Sequence, residues 1–284
     1  MDIVSKEILS QSGDKIKIIG LRIGELSVKM SAMISVKPGL MSTLLSFKDK
    51  EFCEWLPIWV WVIVHPEGTF LIDTGMSSDV NQEGYFDGLD FLSRYYFKTQ
   101  MKFKIKKEEE LDSMLEKVGL EINSINKVIL THLHIDHTGG LKYLQNIPIL
   151  VNEEEWNTKD GAYPQLFPED INIQTLKLDI KYEEFEKCQF ITQCKDLVMI
   201  HTPGHTRGHC SIALIGNENI YLFGGDVAYN EKRLMEKTFS STIKNLNDNQ
   251  NSCDQIIEFF KKEKLIFLPT HDSGNVQRLE SMEL

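Results

Sequence analysis

Cysteine is scarce in this chain. There are five in 284 residues, Cys53, Cys188, Cys194, Cys210 and Cys253, with no CxxC pair and no regular spacing. An odd, sparse set of this kind excludes a disulfide scaffold and reads as buried or free thiols in a reducing compartment, so a cytoplasmic location is expected. The start, Met1-Asp2-Ile3-Val4-Ser5-Lys6-Glu7, lacks the basic and apolar stretches of a secretory signal. Long apolar runs are also missing. The longest, Trp55 to Val64, is ten residues with Pro57 inside it, whereas a bilayer span needs about 20. It reads as a buried strand. Positive charge is in deficit: 31 Lys and Arg stand against 42 Asp and Glu, a net charge of −11. Nucleic acid and anionic membrane surfaces are therefore not expected as partners. Hydrophobic residues at 42% and charged residues at 26% exclude a disordered chain and allow a substantial core.

No internal repeat or low-complexity tract is present. Segments rich in β-branched and aromatic residues predict strands at Ile16 to Ile23, Ile58 to Val64, Thr69 to Asp73 and Val128 to Leu130. In the second half, strands are expected at Leu197 to Ile200, Cys210 to Ile215, Ile220 to Phe223 and Leu265 to Leu268. Leu111, Met114, Leu115 and Val118 make one apolar stripe on a helix over 108–118, which Gly119 is placed to stop. A second amphipathic helix is expected over 252–262, with Ile256, Phe259 and Phe260 inward. Strands mixed with a few helices, without regular alternation, suggest layered sheets with helices outside. We expect one domain over 1–284, in approximate halves 14–150 and 186–284, with weakly periodic insertions near 77–107 and 157–187. Lys102, Lys104, Lys106 and Lys107 alternate with apolar residues. That reads as a half-buried extended segment with a solvated lysine face rather than an anion site.

The chemistry lies in the histidines. Three of the eight fall in His132-Leu133-His134-Ile135-Asp136-His137, between a predicted strand and Thr138-Gly139-Gly140. Alternate residues at a strand end point the same way, so His132 and His134 can converge on one ion. A following turn can aim Asp136 and His137 at a second position. More metal-type donors stand just beyond predicted strands, each in a Gly or Pro turn: His205 after Thr202-Pro203-Gly204, Asp226 after Gly224-Gly225, and His271 after Pro269-Thr270. Loops on a rigid sheet are where catalytic groups are mounted. Imidazole and carboxylate suit zinc first, with iron, manganese or cobalt as alternatives.

This ordered set, from Asp73 to His271, resembles the metallo-β-lactamase-fold hydrolases over nearly the whole chain. The resemblance implies an α/β fold, a four-layer αβ/βα sandwich with the metals at one edge of the two sheets. It implies that His132, His134 and His205 hold a first ion, that Asp136, His137 and His271 hold a second, and that Asp226 bridges them. Asp73 would orient a ligand histidine, and His209, four residues past His205, would support the site without binding metal. His201 is expected to be hydrogen-bonded in the core and Cys210 to be buried. Two divalent ions against two carboxylates and a hydroxide leave about one net positive charge, which suits attack on a carbonyl or phosphoryl centre. A single ion is the alternative.

Within that superfamily the chain is most similar to the N-acyl-homoserine lactone lactonases. The resemblance is carried by Leu56-Pro57-Ile58-Trp59, by Leu71-Ile72-Asp73-Thr74-Gly75-Met76, by Asn81-Gln82-Glu83-Gly84 and by Pro203-Gly204-His205-Thr206-x-Gly208-His209. Asp226 disfavours the zinc β-lactamases and His134 the flavin-linked diiron proteins. With thirteen residues after His271, the helical region of glyoxalase II enzymes is not expected. The negative charge disfavours the tRNA-processing phosphodiesterases. The implied mechanism is attack of a metal-bridging hydroxide on the lactone carbonyl, with Tyr229 assisting at the carbonyl or ring oxygen and Asp136 relaying a proton. The implied partner is a small acyl lactone, a quorum-quenching substrate, and the chain would be a monomer or homodimer. Tyr85, Phe86 and Ile135 are candidate acyl-chain contacts, the first two in an aromatic segment that serves equally as core or dimer interface. Other lactones, a thioester, or sulfur-dioxygenase chemistry on the same fold are the rival activities.

Overall fold

β-Branched and aromatic side chains that must be buried on both faces dictate the centre of the molecule. In the computed structural model, which describes residues 2–33, 48–238, 240 and 242–280, they form two sheets. The first contains β1 (Ile3–Leu9), β2 (Lys15–Val28), β3 (Leu56–His65), β4 (Gly68–Ile72), β5 (Met101–Lys104), β6 (Lys127–Ile129), β7 (Pro148–Asn152) and β8 (Asn172–Leu176). Its order is β1-β2-β3-β4-β6-β7-β8, with β5 also paired to β2. The second contains β9 (Ile180–Tyr182), β10 (Phe185–Phe190), β11 (Leu197–His201), β12 (Cys210–Ile215), β13 (Ile220–Gly225) and β14 (Leu265–Pro269), in the order β14-β13-β12-β11-β10-β9.

Strand β3 reads Leu-Pro-Ile-Trp-Val-Trp-Val-Ile-Val-His and is buried almost throughout. Its alternation divides two cores. Trp59, Trp61 and Ile63 pack between the sheets against Met199, Ile212 and Phe223. Val60 and Val62 face the other way, toward the helix Leu111–Lys117. On the far side Ala213, Ile215 and Leu222 pack under the helix Leu246–Lys262 through Cys253, Ile256 and Phe259. The result is the expected helix–sheet–sheet–helix layering, with the principal hydrophobic core sandwiched in the middle.

Two differences from the sequence reading have clear causes. The second helix starts at Leu246, not 252, because Asn245 caps it by accepting from the amides of Asn247 and Asp248. Its first turn is polar, so hydrophobic periodicity does not reveal it. The segment 157–187 holds β8, β9 and the start of β10. β8 is mostly exposed, so it lacks the apolar alternation that marks a strand. Within 77–107 lie the helix Phe91–Gln100 and β5, whose Lys102 and Lys104 face solvent. Among the described residues no helix is long and apolar enough to cross a membrane.

Strand direction brings the functional loops together. β4 and β6 run parallel with Ile72 opposite Ile129, so Asp73 and the 130–138 loop leave the first sheet side by side. β13 and β14 are parallel with Gly225 opposite Pro269, which does the same for Asp226 and His271. The edge is then closed between sheets: the amide of Cys210 donates to the carbonyl of Thr131 (2.9 Å) and that of Trp59 to the carbonyl of Thr270 (3.0 Å). Carboxyl ends of parallel strands are the usual place for a site in such folds.

Candidate metal centre

Four strand ends place seven donors around one point. His132, His134 and His205 offer ligand atoms within 4.8 Å of one another, as do His132, His137 and Asp226, and Asp136, His137 and His271. The Nδ1 of His134 lies 3.1 Å from His132 Nε2 and 2.9 Å from His205 Nε2. Asp226 links this triad to the other. Its Oδ2 is 3.5 Å from His205 Nε2 and 3.3 Å from His271 Nε2, and its Oδ1 is 3.4 Å from His137 Nε2. Asp136 Oδ2 stands 3.3 Å from His271 Nε2 and 3.6 Å from His137 Nε2.

Hydrogen bonds behind the cluster fix which ring nitrogens face it. His271 Nδ1–H donates to the carbonyl of Pro57 (2.9 Å). Asp73 accepts from His137 Nδ1–H (2.8 Å), from the Thr131 amide (2.8 Å) and from the Thr131 hydroxyl (2.8 Å). The Thr131 oxygen is thereby left to accept from His132 Nδ1–H (3.1 Å). Each Nε2 is thus presented as a lone pair, the arrangement that metal-ligating histidines need. Asp73 holds a left-handed backbone (φ 59°) at the end of β4, a local strain typical of functional positions. His209 stays behind: its Nδ1–H donates to the Thr202 carbonyl (3.0 Å) and its Nε2 accepts from the Asp226 amide (3.0 Å). Gly225, with φ +55°, leaves room for that ring, since a Cβ there would lie 2.6 Å from His209 Nε2.

The electrostatics call for a cation. Burial holds His132 and His205 well below the ordinary histidine value and His134 at about 4, so all three stay neutral and able to coordinate. Burial pushes His137 and His271 down as well. The surrounding carboxylates of Asp73, Asp136 and Asp226 outweigh it for His137, and those of Asp226 and Asp136 for His271, raising the latter to about 10. Burial raises Asp136, yet the histidines beside it hold it at about 2. Among the described residues, His137 Nε2 and Asp226 Oδ1 are buried without a hydrogen-bond partner. Five imidazoles and two carboxylates, with no thiolate, fit two divalent ions, zinc foremost.

One residue escaped the sequence reading. Glu155 lies in Glu153-Glu154-Glu155, a run that reads as solvated surface, yet the helix Glu153–Thr158 turns it fully inward. It accepts from the Leu133 amide (3.0 Å) and the Thr206 hydroxyl (2.6 Å), and so ties together the two loops that carry His132, His134 and His205. Burial raises its carboxyl to about 7, against the hydrogen bonds that lower it. The folded value lies above the unfolded one. Its contribution to stability is therefore complete below about pH 4.5 and is lost as pH rises through about 7, at most about 3 kcal/mol. Glu155→Gln is expected to gain stability relative to wild type between pH 5 and pH 8, by several degrees in melting temperature of chelator-treated protein. An identical pH slope in both proteins refutes this.

His201 ends β11 and bonds the Arg207 carbonyl (2.9 Å). Cys210 is fully buried. His65 pairs with Asp196 (2.8 Å), away from the cluster. A cavity of about 460 Å³ opens from the cluster, walled by Leu26, Val28, Phe97, Met101, Ile135 and Tyr229. Tyr85 and Phe86 do not line it. Phe86 stacks behind Phe97 (4.5 Å between centroids) and Tyr85 packs against Phe86, because the helix Phe91–Gln100 lays Phe97 over them.

Layered sheets with a two-ion donor set at their shared edge define a metal-dependent hydrolase. The chain belongs to the metallo-beta-lactamase superfamily, whose family model matches residues 53–271. An N-acyl homoserine lactonase of a Bacillus species is 31% identical over 160 residues, covering 56% of this chain and 58% of that protein. The N-acyl homoserine lactonase of Bacillus thuringiensis is 28% identical over 220 residues, 76% of this chain and 82% of the relative. Among solved structures, an N-acyl homoserine lactone hydrolase with N-hexanoyl-L-homoserine bound at its catalytic metal centre superposes with a TM-score of 0.73 at 22% identity, covering 96% of both chains. A probable metal-dependent hydrolase from Staphylococcus aureus gives a TM-score of 0.67 at 18% identity, covering 93% of this chain and 90% of that one.

Proposed function

We propose that this protein opens the lactone ring of N-acyl-homoserine lactones, giving N-acyl-homoserines that no longer signal. The observation that carries this reading is a cavity polar at the ligand cluster and apolar beyond it, in a chain related over 76% of its length to an N-acyl homoserine lactonase. The polar end suits a lactone ring. Leu26, Val28, Phe97, Met101 and Ile135 suit a fatty-acyl chain. His132, His134 and His205 would hold one ion, Asp136, His137 and His271 the other, with Asp226 between them. Two divalent ions bound there acidify water and polarise a carbonyl.

The chain's own groups then manage protons. Tyr229 lines the cavity with its ring 5.3 Å from that of His271. Burial keeps its phenol protonated far above neutral pH, and among the described residues its hydroxyl has only 3.4 Å contacts, to Ser240 and Thr242. It is free to donate to the lactone oxygen on which charge develops. Asp136 is ionised and can take the proton of the attacking water and return it to the ring oxygen as the C–O bond breaks. The products are a carboxylate and an alcohol. Five free thiols support a cytoplasmic location.

The test is one preparation assayed for metal content and for hydrolysis of acyl-homoserine lactones of several chain lengths and of acyl thioesters. Lactone opening is expected; cleavage of thioesters alone overturns the reading. Tyr229→Phe is expected to lower kcat about tenfold, the worth of one hydrogen bond to developing charge, with metal content unchanged. Wild-type kinetics in that variant removes its role.

A further inference from the structure

The helix Phe91–Gln100 has two faces. Phe91, Leu92 and Tyr95 stand exposed on the outer one. Tyr96, Phe97 and Gln100, at i, i+1 and i+4, form the inner one, and all three line the cavity. Tyr96 is half-buried there, its ring set edge-on against Phe97 (5.8 Å between centroids), which Tyr163 also meets (5.0 Å). The Tyr96 hydroxyl has no hydrogen-bond partner among the described residues, yet it is not walled in. Burial first, then Tyr163 and the charge of Asp136, push the phenol up to about 12, so it stays protonated at neutral pH. That Asp136 acts on it puts the hydroxyl on the side of the ligand cluster.

The wall that carries Tyr96 includes Asp136 and His134 at its polar end and Leu26, Phe97 and Met101 in its apolar part. In an N-acyl-homoserine lactone the group at the matching joint, between ring and chain, is the amide. Its carbonyl oxygen is a strong acceptor that loses water on entering the cavity and needs a donor in return. We propose that Tyr96 donates a hydrogen bond to the acyl carbonyl of the substrate and so selects lactones that carry an N-acyl group. This rests on the lactone-hydrolase reading of the same cavity. The two phenols then divide the work. Tyr229, beside His271, meets the reacting ester, and Tyr96 meets a carbonyl that the reaction leaves unchanged. A contact to an unreacting group is equally strong in ground state and transition state, so its loss shows in KM rather than in kcat. Tyr96 is thus a specificity-determining residue: a lactone whose chain is attached through carbon alone leaves its hydroxyl unmet.

The experiment compares N-hexanoyl-homoserine lactone with an α-alkyl-γ-butyrolactone of equal length, which keeps ring and chain but lacks the amide. Tyr96→Phe removes one oxygen and breaks no hydrogen bond of the fold. In the metal-loaded enzyme it is expected to raise KM for the N-acyl lactone about tenfold, the worth of one hydrogen bond, with kcat held and KM for the alkyl lactone unchanged. Where the alkyl lactone is not opened, its Ki as a competitive inhibitor takes the place of KM. An unchanged KM on both overturns the proposal. So does an equal rise on both, the result of a purely structural role, and so does a fall in kcat on both, the result of a contact to the reacting ester. A selective rise in Tyr163→Phe with none in Tyr96→Phe also overturns it. If neither lactone is opened, the hydrolase reading fails. Calorimetric binding of N-hexanoyl-homoserine against the amide-free hydroxy acid then decides the role of Tyr96, a preference lost in Tyr96→Phe supporting it and equal affinities in wild type refuting it.

Discussion

Asp226→Ala is expected to lower lactone hydrolysis on the order of 1,000-fold and to reduce bound metal below two ions per chain. Asp226 lies between the two triads, with oxygens 3.3–3.5 Å from His205, His271 and His137. It is 6% exposed and surrounded by imidazoles. Removing one partner from a buried charge cluster typically costs about 3–5 kcal/mol, and each 1.4 kcal/mol is a factor of ten. The fold should survive. The amide of residue 226 still donates to His209 Nε2 (3.0 Å), and β13 still pairs with β12 and β14. Circular dichroism and metal analysis on one preparation separate the two effects. A folded variant with two ions and wild-type turnover refutes the bridging assignment.

The parts of this site that were legible in the sequence share a physical property. A metal ligand must be one of few residue types and must sit where a loop leaves a rigid strand, so His132, His134, Asp136, His137, His205, Asp226 and His271 stand out from strand ends and turn residues alone. The central strands were legible because burial on both faces demands unbroken β-branched and aromatic runs, as in β3 and β12. Peripheral elements were not. β1 and β8 carry too many exposed side chains to show a pattern. The supporting groups were harder still. Glu155 is inward because of one helical turn, and nothing in three successive glutamates says which is buried. Tyr85 and Phe86 mark the same limit, since sequence could identify an aromatic segment but not which rings reach the cavity.

Asp73→Asn tests the layer behind the ligands, and its expected effect is about 100-fold weaker binding of one ion, with activity falling in step. All three neighbours of Asp73 donate to it: His137 Nδ1–H, the Thr131 amide and the Thr131 hydroxyl. Only an acceptor on both oxygens satisfies them. In asparagine one oxygen becomes an NH₂ donor. The Thr131 amide cannot change its role, so the asparagine oxygen must remain with it, which turns the NH₂ toward His137 Nδ1 and the Thr131 hydroxyl. His137 must then accept at Nδ1 and carry its proton on Nε2, the atom that faces Asp136 and Asp226. A protonated nitrogen cannot ligate. The loss should be selective, because His132, His134 and His205 do not involve His137, so metal content should fall from two ions toward one and recover at high metal concentration. Asp226→Ala, which removes a donor outright, should not recover in this way. Two ions bound with wild-type affinity in Asp73→Asn would mean that the tautomer of His137 is set elsewhere.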